Sequence, residues 1–359
     1  MSFLGKIFKK KARSFLGVDL GAGGIKVVEL GLKDKKPKLL TYGYTEVYPS
    51  FEGGSEDYLE NPKISDLLAQ VCKKAKVISR DAVASLALNK VTTSIVSISA
   101  ATEAELKLAV EVEASKLIDY PIKEAVLDFK VLKEETKETI KGVPVKQKTK
   151  KVLITVTRQD LIKKYVDIFK KAGLTLKTLE TEAFALSRSL VGKDKTSLAI
   201  IDIGKQRTNV VIVDSSIPIL SRSIGVGGIN VSETISRILG LSLKEAEEAK
   251  KDISNLPGWD ANILPQPIKE LFLPIVSEAR YLFDLFNKDE NKSIEKIILT
   301  GGSSFFPGLA AYFSTELGVK AFVGDPFARI IYHEDLKSVL ENIGPRLAVA
   351  AGLAMREIE

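Results

Sequence analysis

The strongest constraint on this chain is an internal echo. FLGVDLGAGGIKVVEL, Phe15 to Leu30, returns 183 residues later as LAIIDIGKQRTNVVIV, Leu198 to Val213, with Asp19 over Asp202, Gly21 over Gly204, Val27 over Val210 and Val28 over Val211. Each copy joins two runs rich in β-branched residues through a polar or glycine-rich turn, without helical period, which predicts a hairpin. Alternating Val/Ile strands resemble one another everywhere; the shared Asp-x-Gly at the turn lifts this pair above that background and indicates two related halves. Helical segments follow in each, Ile64 to Lys76 and Thr181 to Leu190 in the first, Val231 to Leu239 and Leu243 to Lys251 in the second. Strands and helices mixed in this way define an α/β class.

With 359 residues, 45% hydrophobic and 28% charged, the chain has material for two or three domains with proper cores. The single cysteine, Cys72, lies on the apolar face of a predicted helix, so neither a disulfide framework nor a zinc site is available and a reducing compartment is expected. His333 is the only histidine, which excludes a multi-His metal site and leaves little room for a His base. The net charge of +7 is concentrated in Lys6, Lys9, Lys10, Lys11 and Arg13, leaving too little elsewhere for a general nucleic-acid surface. The longest uncharged stretch, Ile297 to Thr315, is interrupted by Gly301, Gly302, Pro307 and Gly308, and the N-terminus makes no secretory signal, so a cytoplasmic protein is expected. Residues 1–13 also set Phe3, Leu4, Ile7 and Phe8 at helical spacing against lysines, a pattern open to two readings, a solvated terminus and a segment lying on an anionic membrane.

Ala82 to Leu179 reads as a unit inserted in the first half. Thr102 and Glu105 have the spacing of a capping box opening a helix, Ala125 to Leu132 and Val152 to Thr157 alternate as strands, Lys133 to Lys151 reads as a mobile hairpin loop, and a helix from Asp160 to Ala172 stops at Gly173.

No Walker-type phosphate loop is present, and the cluster at Gly21, Gly23 and Gly24 is followed by a strand where a dinucleotide fingerprint needs a helix. A glycine-rich hairpin turn still presents backbone N–H groups as an anion nest, and two such turns facing one another can clamp a polyphosphate. Asp19 and Asp202, at equivalent strand ends, suit a Mg²⁺ ion that keeps several waters and takes one or two carboxylates plus phosphate oxygens, and Lys26 can neutralise phosphate charge or stand solvated on its strand. A third loop, Gly301-Gly302-Ser303, ends an apolar strand and leads to a helix from about Pro307.

The joint order of these loops resembles the actin/Hsp70/sugar-kinase superfamily. The likeness implies an actin-like ATPase fold: two duplicated ribonuclease H-like lobes, with an α+β subdomain inserted in the first. It divides the chain into a basic tail (1–13), a first lobe (14–195 with 336–359, containing the insert 82–179) and a second lobe (196–335). In that comparison Asp19 to Lys26 is similar to the first phosphate loop, Asp202 to Thr208, including Gly204, Arg207 and Thr208, to the second, and Gly301 to Ser303 to the adenosine motif. Glu180 to Leu190 and Pro345 to Met355 are similar to the two connecting helices.

Within the superfamily the chain resembles the PilM family of type IV pilus assembly, through GVDLGAGGIKVVEL, AVEVEASKLIDYPIKEAVLDFKVL (Ala109 to Leu132), TEAFALSR and AVAAGLAMRE. The resemblance implies ATP with Mg²⁺ between the lobes, with Gly227, Gly228, Glu247 and Lys250 approaching ribose and adenine, though the helix carrying the last two also reads as a solvated face. It implies a PilN-like inner-membrane protein whose cytoplasmic N-terminal segment binds in the groove beside the insert, other pilus assembly components, and a place at the inner face of the cytoplasmic membrane through that partner. Homo-oligomers fit the family; nucleic acid does not. The ATP site is expected to act chiefly as a switch, with turnover left open and at most slow. Glu180 falls where related proteins carry a water-positioning residue and Glu182 is expected to point elsewhere; both also suit ordinary helix-start acids. An FtsA-like filament-forming division protein and a small-molecule kinase are the alternatives; the first lacks its C-terminal amphipathic helix here and the second its substrate base.

Overall fold

The computed structural model describes residues 14–45, 58–100, 102–140, 143–251 and 264–358; the basic tail lies outside them. Its centre is a pair of five-stranded sheets with the same order. In the first, β1 (Phe15–Gly21) pairs antiparallel with β2 (Gly24–Lys33), which pairs with β3 (Lys36–Tyr44). After helix α1 (Ile64–Lys74), β4 (Asp81–Leu86) runs parallel beside β1. The second sheet repeats this with β9 (Leu198–Ile203), β10 (Thr208–Asp214), β11 (Ile217–Ile224), β12 (Lys296–Thr300) and β13 (Ala321–Val323). The duplication extends to register: Asp19 faces Lys26 across its hairpin, and Asp202 faces Asn209, the residue 183 positions after Lys26.

Each sheet is covered by helices whose apolar spacing dictates their docking. In the second lobe, α7 (Gln266–Glu290) buries Ile268, Phe272, Ile275, Ala279, Leu282 and Phe286, a stripe at steps of three and four residues, against Ile201, Ile212 and Leu299. Each such large side chain contributes roughly 1.5–3 kcal/mol on burial. Helices α5 (Gly228–Leu239), α6 (Leu243–Lys251) and α8 (Leu309–Leu317) complete this lobe. In the first lobe the same spacing is supplied by Ile64, Leu68 and Val71 of α1, which pack under Val18 and Val27.

Two short helices bridge the lobes. Helix α4 (Glu182–Leu186), continued by a π-helical turn at Ser187–Val191, crosses α10 (Ala348–Met355), every residue of which is buried. The crossing is close because residue 352 is glycine: a Cβ there would collide with the Ala185 carbonyl. Helix α9 (Lys337–Ile343) and α10 pack on β2, Val28 and Leu30 included, so the C-terminal segment closes the first lobe.

The insert is smaller than 82–179. Strand β4 and strand β8 (Thr175–Thr181) are hydrogen-bonded members of the first-lobe sheet, and helix α3 (Gln159–Lys171) packs Tyr165, Ile168 and Phe169 into that lobe's core. What projects between them is β5 (Thr92–Ser99), α2 (Glu103–Ser115), β6 (Ala125–Ile140) and β7 (Val143–Arg158), with sheet order β5-β7-β6. Thr102 and Glu105 form the expected capping box. The expected mobile loop at Lys133 to Lys151 is instead the continuation of two 16-residue strands, paired from Ala125 opposite Arg158 out to Ile140 opposite Val143. The threonines of this stretch, read as loop composition, also suit extended strands.

Candidate functional site

The two Asp-x-Gly hairpins face one another. A Cβ on Gly23 would stand 3.4 Å from the Lys205 side chain, so the turn of the first lobe closes directly on that of the second. Behind the turns, Asp19 is buried, accepting from Lys26 Nζ at 3.0 Å and from the Ser85 hydroxyl at 3.2 Å. Asp202 lies beneath the third loop, where a Cβ on Gly301 would come within 2.5 Å of its Oδ1 and where Gly301 has φ +90°, a backbone state open chiefly to glycine. Desolvation first, and the charge of Asp19 second, push the Asp202 carboxyl up to about 6. The two carboxylates therefore sense each other across the cleft with Lys26 as the adjoining cation, an arrangement short of positive charge. Among the described residues no three acidic, His or Cys side chains form a ligand set for a bare ion. A cation entering with its own phosphate oxygens suits this donor set.

The third acid of the cleft is Glu182, and this corrects the sequence expectation. Glu180, expected there, lies in β8 and is held away by Arg188 at 2.5 and 3.1 Å and by Arg356 at 3.3 Å. Glu182, two residues on at the start of α4, accepts from the Leu88 amide at 3.1 Å and from Asn209 Nδ2 at 3.0 Å. Burial, then Asp19, then Asp202, raise its carboxyl to about 8. The change of side follows from the change of element: strand alternation ends at Thr181, and the first helical residue turns into the cleft. Asn209 was legible in principle, since it occupies the repeat position of Lys26; nothing local marks Ser85.

The second-lobe residues divide. Gly227 and Gly228 open α5, whose Gly228 and Ile229 amides bond back to Gly204 and Lys205 at 2.9 and 2.8 Å. Lys250 donates to the Gly228 carbonyl at 2.9 Å and to Ser232 Oγ at 2.7 Å and pairs with Glu247 at 3.0 Å, while Ser303 crowds against Gly228. Burial presses the Lys250 ammonium below its ordinary value, against the pull of Glu247. Gly227, Gly228, Glu247, Lys250 and Ser303 thus do converge, with Gly301 and Gly302 alongside, the latter beside Arg346. Two expectations fail: Arg207 turns to the Ser223 hydroxyl at 3.0 Å, and Thr208 is fully buried with its hydroxyl donating to the Val226 carbonyl at 2.7 Å. Both side chains instead tie the hairpin to β11 and to the segment that follows it. Cys72 is half-buried, and desolvation raises its thiol to about 11, as the apolar helix face suggested.

A second concavity, a groove of about 520 Å³, separates the insert from the first lobe. One face of the insert sheet is sealed by Leu106, Val110 and Ala114 of α2; the opposite face turns Val126, Asp128, Lys130 and Thr155 toward Ile162 and Val166 of α3 and toward β8. Lys130 reaches over the Phe184 ring at 5.4 Å, and Glu180, Arg188 and Arg356 lie at one wall. Among the described residues no helix is long and apolar enough to cross a membrane.

Raised carboxyl pKa values link the cleft to stability. Glu182 and Asp202 contribute most below their unfolded values near 4.5 and 3.8, and the contributions fall as pH rises through about 8 for Glu182 and about 6 for Asp202. The ligand-free protein is expected to gain about 2–4 kcal/mol between pH 9 and pH 5, discounted for partial solvation. Glu182→Gln should remove most of the part above pH 6.5; denaturation curves across that range that superimpose on the parent's would refute the assignment.

Two lobes of equal topology, each offering an Asp-x-Gly hairpin to a common cleft and joined by crossing helices, define an actin-like ATPase fold. The chain belongs to the type IV pilus assembly protein PilM family, whose model matches residues 17–358. It is similar to the solved PilM–PilN type IV pilus biogenesis complex, at 25% identity over 96% of this chain and 98% of that one, with a TM-score of 0.79. The fold recurs in ethanolamine utilization protein EutJ from Carboxydothermus hydrogenoformans (15% identity, 95% and 89% covered, TM-score 0.53) and in a MamK double helical filament (18%, 97% and 99%, 0.51).

Proposed function

We propose that this protein is a nucleotide-responsive adaptor of the pilus assembly platform, binding Mg²⁺–ATP between its lobes and the cytoplasmic N-terminal segment of a PilN-like membrane protein in the groove. The approach of Gly23 to Lys205, with Asp19 and Asp202 behind, carries the nucleotide half of this reading. Asp19 and Asp202 would hold the metal, through water or directly; the amides around Gly21, Gly23, Gly24 and Gly204 and the Lys26 ammonium would meet phosphate; Gly227, Gly228, Glu247, Lys250, Gly301, Gly302 and Ser303 would frame the nucleoside. When bound, the ion supplies positive charge that this cleft lacks. Burial, Asp19 and Asp202 favour the protonated Glu182 in the ligand-free cleft, and compensation of the neighbouring charges would favour its carboxylate, an acceptor that could orient a water.

The partner half rests on the groove and on the similarity to a PilM–PilN complex. On this reading the protein would work at the inner, cytoplasmic face of the membrane through its partner; among the described residues no helix is long and apolar enough to cross it. Cleft and groove are joined at the β8–α4 junction, where Glu180 faces the groove and Glu182 the cleft. Deleting 82–179 would remove β4 and β8 from the lobe, so point variants are the test. Val126→Glu and Val166→Glu, both at exposed groove positions, are expected to weaken binding of a synthetic PilN-like N-terminal peptide at least tenfold in fluorescence anisotropy, with melting unchanged. Parental affinity in both variants would remove the peptide from this groove.

A further inference from the structure

The hairpin of the second lobe repeats that of the first with a change of charge behind its turn. Across β1 and β2 Asp19 stands opposite Lys26, and across β9 and β10 Asp202 stands opposite Asn209. Lys26 is largely enclosed, at 13% side-chain exposure, and donates to Asp19 Oδ2 at 3.0 Å. Asn209 is buried, donates from Nδ2 to Glu182 Oε2 at 3.0 Å, and hydrogen-bonds the Asp202 carboxylate as well. An amide nitrogen carries two hydrogens, so this one side chain serves an acid from each lobe.

An amide orients carboxylates without neutralising them. The charges that bear on Asp202 are Asp19 and Lys26, and those that bear on Glu182 are Asp19, Asp202 and Lys26. Tyr58 also senses Asp19 and Glu182, but its phenol is held neutral, chiefly by burial. The cations of the second turn do not make up the difference: Arg207 is turned to Ser223, and Lys205 acts on Glu247 and Lys250. Even with Glu182 protonated, two carboxylates share one ammonium. The first hairpin accommodates a lysine at the same register position, so the amide at 209 is a difference in charge that the backbone does not impose.

We propose that Asn209 sets the metal requirement of the cleft. By holding Asp202 and Glu182 with an uncharged donor, it leaves the second hairpin one positive charge short of the first. A bare polyphosphate then meets an uncompensated carboxylate, and a nucleotide carrying a divalent cation does not. The inference rests on the nucleotide reading above and adds to it the residue that makes the ion obligatory.

Titration calorimetry of the full chain with ATP, in excess Mg²⁺ and again in EDTA, reads the requirement as a ratio of affinities. The parent ratio should be at least ~100-fold, and Asn209→Lys should reduce it below about tenfold, chiefly by strengthening binding in EDTA. Asn209→Leu, which removes the donor and adds no charge, should weaken binding and keep the parent ratio. Asp202→Asn removes the uncompensated charge without altering size and should bind ATP in EDTA at least ~3-fold more tightly than the parent. That variant decides the matter should Asn209→Lys not fold. A parental ratio in folded Asn209→Lys, a ratio in Asn209→Leu as low as that in Asn209→Lys, or binding in EDTA by Asp202→Asn no tighter than the parent's would each overturn this inference alone. A parent that binds no nucleotide in Mg²⁺ would overturn the nucleotide reading and this inference with it.

Discussion

Asp202→Asn is expected to strengthen the empty protein and disable it in the same stroke. The ligand-free cleft holds Asp19, Asp202 and Glu182 within one another's electrostatic reach, and burial first, then this proximity, raises the carboxyls of the last two. An isosteric amide removes one of the charges, lowers the Glu182 carboxyl toward its ordinary range, and should add about 1–2 kcal/mol of stability at pH 8. Mg²⁺-dependent nucleotide binding should fall at least ~100-fold, since a hard cation then loses one of two anionic donors. Asp19→Asn should lose affinity similarly without the gain, because Lys26 and the hydroxyl of Ser85 depend on that carboxylate. Titration calorimetry with denaturation on the same samples checks both signs. Unchanged affinity in either variant would remove the metal site from this cleft; affinity lost together with stability in Asp202→Asn would show that its carboxylate is structural.

The largest effect on stability is expected far from any ligand. Gly352→Ala adds one methyl group at the crossing of α4 and α10, where the new carbon would meet the carbonyl oxygen of Ala185 and stand 2.6 Å from its carbonyl carbon. Both contacts are backbone, so relief requires moving one helix against the other, and α10 is buried at every residue. A loss of at least ~3 kcal/mol is expected. Gly344→Ala is the matched control: its nearest neighbour is a ring carbon of Phe327 at 3.5 Å, an ordinary contact, and its loss should stay within ~0.5 kcal/mol. Chemical denaturation of the two variants side by side decides the matter; equal, small losses would mean that the helices tolerate separation.

What could be read beforehand followed the repeat. Asp19, Gly21, Asp202 and Gly204 declare themselves because the same backbone problem, a tight turn bringing a carboxylate to a sheet end, is solved twice in one chain. The insert's boundaries could not be read, because β4 and β8 differ from the neighbouring strands of the insert only in which sheet completes them, and pairing partners lie far off in sequence. Arg207 and Thr208 were expected at the ligand on position alone, and the structure uses both to tie the hairpin to Ser223 and Val226. Glu180 and Glu182 carry the same chemistry two residues apart; only the place where strand becomes helix decides between them, and such boundaries carry little local signal.

That junction has a mechanical consequence. A pair of carboxylates on opposite sides of one stretch of main chain, about 7 Å apart along it, makes a short, stiff rocker with its fulcrum at Thr181. Arg188 and Arg356 grip one arm and Asn209 of the opposite lobe grips the other. A tilt of the second lobe would act on Glu182 through Asn209, two residues of main chain from the carboxylate that the groove-side arginines hold.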